Sequence, residues 1–123
     1  MFPCLPVKST QVQRIQSGYP WVYTLGLSNK KRLELEPGQI VTLTDEARAP
    51  IAIGFYNPLT KLTARILTLD LNEKIDTSFF DRRFLHALAR RERFFNTPYY
   101  RLVHAESDNL PGLIIDRFGD TFV

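Results

Sequence analysis

Four residues near the end of the sequence have side chains that acid–base catalysis and metal binding use. They are His104, Glu106, Asp108 and Asp116. If residues 101–106 form a strand, His104 and Glu106 point to the same face, because side chains alternate along a strand. A group of this kind ligates divalent metals or transfers protons.

The same acids also have a structural interpretation. Asp108 and Asn109 are turn-forming residues between two strand-like runs, and Asp116 can pair with Arg101 or Arg117. In this interpretation the chain contains no catalytic residue and no metal site, and this is what we expect.

A second group of residues combines positive charge with aromatic rings, which is typical of surfaces that bind RNA. Unpaired bases stack on aromatic rings, and phosphates pair with Lys and Arg. The predicted RNA-binding residues are Lys8, Arg14, Tyr19, Lys30, Lys31, Arg32, Lys61 and Arg65. Trp21 lies in the same region, but a core position is the alternative for its ring. Arg65 is in the middle of a predicted strand, where a structural salt bridge is the alternative.

A long amphipathic helix is predicted to begin at Asp76 or Thr77 as its N-cap and to end before Pro98. Its apolar stripe consists of Phe80, Phe84, Ala87, Leu88, Phe94 and Phe95. Arg91 falls inside this stripe, so it must reach the edge or pair with a buried acid. The adjoining basic face is a secondary candidate for phosphate contact, or else a solvated surface, and consists of Arg82, Arg83, His86, Arg90 and Arg93.

Turn signals and hydrophobic periods predict the elements that position these residues. A helix of about two turns is expected between Ser9 as N-cap and Gly18 as the residue after the C-cap. Cys4 precedes this helix in an extended leader flanked by prolines. Strands are expected at YPWVY, QIVTLTD, PIAIGFY and KLTARILTL, the last being the longest. Val41 and Leu43 share one face of the second of these strands.

These elements predict a fold that is mainly β with α (α+β). Residues 1–72 form a small, bent β-barrel or sandwich, residues 73–98 a linker helix, and residues 99–123 a β-hairpin. A third strand begins at Thr121 beside this hairpin, with an open edge that can pair with another chain.

The positive charge is concentrated in the first part of the chain. The formal net charge is +3, with eight Lys/Arg against five Asp/Glu in residues 1–70, six against four in 71–98 and two against four in 99–123. A basic domain is typical of proteins with a polyanionic partner. No apolar run approaches the roughly 18 residues of a membrane span. No signal peptide is recognisable, and the single cysteine excludes an internal disulfide, so we expect a cytoplasmic protein without a membrane partner.

Five segments, in order, carry a resemblance to a known family. They read SGYPWVY, PGQIVTLTD, IAIGFYNPLTKLTARILT, FFDRRFLHALARRERF and YRLVHAESDNLPGLIIDRFGD. The chain resembles the N-terminal part of bacterial class I SAM-dependent large-subunit rRNA (cytosine-C5) methyltransferases. The closing ESDNLPGLIIDRFGD is similar to the family's E-[SA]-D-G-L-P-G-L-I-V-D-R-Y-G-D signature. Asn109 replaces a glycine there, and asparagine tolerates the left-handed backbone.

This resemblance implies a PUA-like RNA-binding domain in residues 1–72, followed by the linker helix and an adapter hairpin. It implies rRNA as the partner. The family's S-adenosyl-L-methionine (SAM) domain and catalytic cysteine would lie beyond Val123, so no cofactor and no catalysis are expected in this chain. Through the hairpin the chain is expected to bind a methyltransferase domain or a second copy. The alternative function is a stand-alone interaction module, in which the hairpin binds another protein or forms a dimer.

Overall fold

The computed structural model describes residues 2–28 and 34–123. Along the chain these residues divide into two compact units, with the boundary between Asn72 and Glu73. The predicted loop cations Lys30, Lys31 and Arg32 lie outside the described residues, so their role stays a prediction. Of the helices in the described ranges, none has the length and apolar character needed to cross a membrane.

The first unit consists of a five-stranded sheet and one helix. Its strands are β1 (Cys4–Pro6), β2 (Trp21–Tyr23), β3 (Gln39–Thr44), β4 (Pro50–Tyr56) and β5 (Leu62–Thr68), in the spatial order β1-β3-β4-β5-β2. The pairs are antiparallel except for β1 and β3, which run parallel. The helix, α1, spans Ser9–Gln16 and packs against β4.

Hydrogen bonds between the two ends of this sheet curl it towards a barrel. Val7, after β1, forms an antiparallel bridge with Leu27, after β2. The Lys8 backbone N–H donates to the Gly26 carbonyl at 2.8 Å, and the Ser28 N–H donates to the Pro6 carbonyl at 3.1 Å. The predicted small, bent β-architecture is therefore confirmed.

The interior of the first unit is filled by apolar side chains from the strands and the helix. Val41 and Leu43 are both 0% exposed, which confirms their predicted common face. The other buried members are Leu5, Val7, Ile15, Val22, Leu27, Ala52, Tyr56 and Ala64. Burying a large apolar side chain is worth about 1.5–3 kcal/mol, so this cluster holds the strands around one core.

Three details of the first unit differ from the predictions. Cys4 lies in a strand rather than a leader, because Pro6 occupies an edge strand, where its missing N–H is tolerated. Lys8, not Ser9, is the N-cap of α1, since the bond from its N–H to Gly26 holds it in an extended conformation. Gly18 has φ of 100° after the helix, as predicted for that position. Strand β5 equals β4 in length and does not exceed it.

The second unit packs one helix on a three-stranded antiparallel sheet. The helix is α2 (Thr77–Phe94), and the strands are β6 (Tyr99–His104), β7 (Ile114–Phe118) and β8 (Thr121–Phe122), in that spatial order. The Asp76 carboxylate accepts the Phe79 N–H at 3.0 Å, which identifies Asp76 as the N-cap. The buried core consists of Ala87, Leu102, Val103 and Leu110, with Phe80, Phe84, Leu88, Tyr100 and Ile115 packed against it.

Two residues of the predicted apolar stripe are not in this core. Phe94 is 78% and Phe95 is 49% exposed. The helix ends at Phe94, and Phe95 is extended, so the helical period no longer places its ring on the core side. The Phe95 ring instead stacks on Tyr100, with centroids 5.3 Å apart.

Candidate nucleic-acid interface

Aromatic side chains line the first unit where α1 leads into β2. Tyr19, Trp21 and Tyr23 are two residues apart, the spacing that repeats a side-chain direction along an extended chain. The rings of Tyr19 and Trp21 meet edge to face, with centroids 6.1 Å apart. The guanidinium carbon of Arg14 lies 5.2 Å from the Tyr19 ring centroid. This places a cation beside the first of two rings that contact each other.

The turn between α1 and β2 positions Arg14 beside Tyr19. The Arg14 carbonyl accepts the Ser17 hydroxyl at 2.9 Å and the Tyr19 N–H at 3.0 Å. Gly18 supplies the reversal between them with its φ of 100°, a conformation that side chains disfavour. The sequence Ser-Gly-Tyr therefore fixes the cation and the ring locally.

Arg65 lies on the outer face of the sheet, next to Trp21. It is directly opposite Trp21 in the β2–β5 pair and opposite Phe55 in the β4–β5 pair, and opposite residues share a face. All three are half-buried, whereas their neighbours Val22 and Ala64 are buried in the core. The core position considered for Trp21 is therefore wrong, since its ring belongs to the outer face.

The remaining described cations of the predicted surface are Lys8 and Lys61, and both are exposed. Lys8 is the N-cap of α1. Lys61 precedes β5, and its carbonyl accepts the Thr24 N–H at 2.8 Å, which places it beside the end of β2. The structure thus places Tyr19 and Arg65 beside Trp21, with Arg14 against the Tyr19 ring. It places Lys61 near Tyr23.

The arginines of the secondary basic face contact groups of their own unit. Arg82 pairs with Glu73 at 3.1 Å. Arg83 donates to the Asn109 carbonyl and lies 4.0 Å from the Phe79 ring centroid. Burial, followed by the positive charge of Arg82, lowers the pKa of Arg83, although Glu73 opposes the shift.

Arg90 and Arg93 lie further along α2. Arg90 donates to the Ser107 carbonyl at 3.1 Å and to Asp108 at 3.3 Å. Arg93 is exposed in the last turn of the helix. Three of the four arginines in this face therefore have partners within the second unit, and a phosphate would have to compete with those partners.

Asp108 is a buried acid at the centre of the second unit, with its side chain 1% exposed. Its carboxylate accepts two hydrogen bonds from Arg91, at 2.5 and 2.7 Å, and one from the His104 N–H at 2.7 Å. Burial alone would raise the pKa of Asp108, but these bonds and the charges of Arg91 and Arg90 hold it below its ordinary value. The prediction that Arg91 pairs with a buried acid is confirmed.

The acid–base or metal group considered from the sequence is not assembled. Residues 105–108 form a 3-10 turn, so the predicted common face of His104 and Glu106 is wrong. The turn forms because Asp108 binds the His104 N–H and Asn109 adopts a left-handed φ of 57°. Asp116 pairs with Arg101 at 2.8 Å. Among residues 2–28 and 34–123, no three His, Cys, Asp or Glu side chains are placed to hold a metal.

Sequence comparisons identify relatives along the whole chain. The profile of the PUA-like domain family matches residues 5–69. The ribosomal RNA large subunit methyltransferase I of Klebsiella pneumoniae is 34% identical over 100% of this chain. The ribosomal RNA large subunit methyltransferase of Deinococcus radiodurans is 33% identical over 97%. The chain spans 31% of the length of each of these proteins. The resemblance to large-subunit rRNA methyltransferases is thereby confirmed.

Solved structures share this fold. A protein from Streptococcus mutans described as a candidate SAM-dependent methyltransferase superposes with a TM-score of 0.79 at 20% identity. The match covers 98% of this chain and 31% of that protein. A candidate methyltransferase complexed with SAH gives the same TM-score of 0.79. At this identity, the likeness is one of fold alone.

Proposed function

The chain belongs to the PUA-like domain family, and from this premise we propose that it is the RNA-binding part of a ribosomal RNA large subunit methyltransferase. The observation that carries the proposal is the group formed by Arg14, Tyr19 and Trp21 beside Arg65. Accessible rings next to guanidinium groups, here the exposed Tyr19 and the half-buried Trp21, provide both base stacking and phosphate pairing.

The charge distribution supports the first unit as the RNA-binding unit. Residues 1–72 contain eight Lys/Arg and five Asp/Glu, whereas residues 73–123 contain eight of each. The net positive charge therefore belongs to the unit with the Arg14–Tyr19–Trp21 group. Such a charge attracts polyanions and accelerates their association.

In this proposal, SAM binding and methyl transfer belong to other residues of the whole enzyme. A SAM site of the Rossmann type needs neighbouring parallel strands whose carboxyl ends face the ligand. In the part of the chain that the structure describes, parallel pairing is confined to three residue pairs between β1 and β3. We therefore expect the SAM site to lie outside the described residues, and we assign them no catalytic step. With rRNA as the proposed substrate, we expect the protein in the cytoplasm.

Trp21 provides the experiment that tests the proposal, because it is the only tryptophan in the chain. RNA that stacks on this surface will change its fluorescence, and titrations at several KCl concentrations will give the salt dependence. If Lys8, Arg14, Lys61 and Arg65 each neutralise one phosphate of a single strand, the log–log slope is roughly −3. Absent or salt-insensitive binding would contradict the proposal.

Arg14→Ala is the first variant to measure. It removes a surface cation, so the folded structure should persist while RNA affinity falls several-fold and the salt slope decreases by about 0.7. Arg48→Asn is the matched control, because it removes the same charge from the exposed β3–β4 turn. Asn tolerates the φ of 69° found there. Equal losses in both variants would mean that overall charge, not this surface, binds RNA.

A second candidate function, self-association through the second sheet, is supported by exposed apolar side chains. Tyr99 and Phe118 are opposite each other on β6 and β7, with 63% and 55% of their surface exposed, and Ile114 is 49% exposed. Such patches mark interaction sites. Light scattering of the chain and of a Tyr99→Ser/Phe118→Ser variant would test it. A monomer in both cases would exclude dimerisation through this face.

A further inference from the structure

An apolar groove lies at the end of β2, beyond the Arg14–Tyr19–Trp21 group. Its volume is about 540 Å³, and its walls are residues 23–25 and 58–61. Leu25 and Leu59 each belong to one of these two segments, and they are 81% and 74% exposed. Across residues 2–28 and 34–123, Leu25 is the most exposed large apolar side chain. Exposed leucines around a concave surface of this size are typical of a binding site.

Both walls of the groove are held by hydrogen bonds. The Thr24 N–H and hydroxyl donate to the Lys61 carbonyl at 2.8 and 3.2 Å, which ties one wall to the other. The Asn57 side chain accepts the Leu59 N–H at 2.9 Å, and the Asn57 N–H donates to the Thr63 carbonyl at 2.7 Å. A ligand would therefore enter a groove that is already formed, and little ordering entropy would oppose binding.

The groove continues the aromatic row of β2. Tyr23 is the third ring after Tyr19 and Trp21, and it is also a wall of the groove. Four residues of extended chain span about 13 Å, a distance that a few nucleotides of a single strand cover. An RNA strand stacked on Tyr19 and Trp21 would therefore deliver its next base to the groove.

Charge and shape favour a nucleotide over an apolar peptide in this groove. Lys61 lies at the rim, and Arg65 follows it four residues later on the outer face, so cations accompany the path as far as the groove. The apolar walls suit the faces of a base, and the exposed Lys61 suits a phosphate. A paired base in a duplex is held in its stack and does not reach such a groove.

We propose that this groove holds an unpaired base of the bound RNA, with Lys61 on the adjacent phosphate. The inference rests on the proposed function and deepens it, because it names single-stranded or loop RNA as the ligand class. Leu25 and Leu59 then contact the base directly, while Tyr19 and Trp21 stack on its neighbours.

The test compares single-stranded and duplex RNA on the full chain. The probes are a labelled mixed-sequence RNA of roughly 12 nucleotides, within the site size of single-strand binders, and the same RNA annealed to its complement. The groove variant is Leu25→Gln/Leu59→Gln. The matched control is Leu85→Gln, which changes another leucine that is 64% exposed, on α2. Circular dichroism will verify that both variants fold.

We expect the groove variant to bind the single strand about tenfold more weakly, the loss of one base contact. Its duplex binding and the single-strand affinity of the control should match the unaltered chain. If the groove variant keeps its affinity for the single strand, or loses equal affinity for both RNAs, the groove inference is wrong. The proposed function would still stand if RNA binding is salt-sensitive and depends on Arg14. If the unaltered chain binds neither RNA, both fail. If the groove variant changes self-association, measured by light scattering, but not RNA binding, the groove is a protein contact and the inference is wrong.

Discussion

At the scale of single residues, Asp108 holds together the second unit. Its carboxylate joins Arg91 of α2 to the β6–β7 connection. We predict that Asp108→Asn destabilises the fold by about 3 kcal/mol, because it leaves the guanidinium of Arg91 largely buried without its counter-charge. Urea unfolding combined with hydrogen exchange of residues 99–118 will measure the loss.

Asp116→Asn is the control for this prediction. It breaks the pair between Asp116 and Arg101, whose side chains are 35% and 46% exposed. Because water screens that pair, its loss should lower the free energy of unfolding far less than Asp108→Asn does. Similar unfolding curves for the two variants would show that the contribution of Asp108 to stability does not come from its burial.

The two acids also predict how the second unit responds to pH. Hydrogen bonding to Arg101 lowers the pKa of Asp116, and the balance described above lowers that of Asp108, each from an ordinary value of 3.8. A carboxyl with a lowered folded-state pKa stabilises the fold above its unfolded pKa. That stability is lost as the pH falls through the folded-state value.

We therefore expect constant protection of β6 and β7 amides at pH values well above 3.8 and a decline once the pH drops below it. Hydrogen exchange referenced to an unstructured peptide will measure this protection from neutral to acidic pH. Urea unfolding midpoints over the same pH range are an alternative measurement. The Asp108→Asn variant should show a weaker decline. A unit that loses protection already at mildly acidic pH would contradict the assignment.

At the scale of elements, the contact between β4 and β5 depends on Gly54. A Cβ built there would lie 2.5 Å from the Arg65 carbonyl oxygen and 3.1 Å from Leu43 Cδ1. Gly54→Ala should cost roughly 1–3 kcal/mol, because backbone atoms must move to relieve the overlap. Thermal unfolding followed by Trp21 fluorescence will measure it.

Gly26→Ala is the matched substitution. The three heavy atoms nearest to the added Cβ would all belong to the Gln11 side chain, the first of them at 2.9 Å. That side chain can rotate away, so we expect a smaller decrease in melting temperature than for Gly54→Ala. If both variants melt alike, the β4–β5 approach is less constrained than the structure indicates.

The sequence predicted those elements whose signals are local. Hydrophobic periods and turn signals located β3, β4 and β5, and the Asp76 cap located the start of α2. Strand β1 was missed because it forms by parallel pairing with Thr42–Thr44, which are far along the chain. The prolines in this segment also disfavour the prediction of a strand. Glu106 was misplaced for a related reason, since the 3-10 turn depends on hydrogen bonds to Asp108 that spacing alone does not reveal.

At the scale of the whole molecule, each of the two units has its own buried core, and the two units differ in net charge. We predict that a chain ending at Asn72 folds by itself, because its core draws on residues of the first unit alone. It should retain the RNA affinity and salt slope of the full chain, since the net charge lies there. Circular dichroism and the Trp21 titration will test both statements. A folded piece with a much shallower slope would assign RNA contacts to the second unit.

Only part of the candidate site could be predicted, because some of its residues are far apart in the sequence. The turn that joins Arg14 to Tyr19 is local, so both residues were identified from the sequence. The apolar groove was not, because its walls come from residues 23–25 and 58–61, which meet only when β2 pairs with β5. No local pattern marks Leu25 or Leu59 as anything but a surface leucine.

The short strand β1 has a consequence for any shortened version of this protein. Residues 4–8 pair with β3 on one side and contact Gly26, Leu27 and Ser28 on the other. Deleting them would expose two sheet edges at once, and unpaired edges recruit strands from neighbouring molecules. These five residues near the start of the chain thus protect the sheet edges from aggregation, and shortened versions for crystallisation or binding studies should keep them.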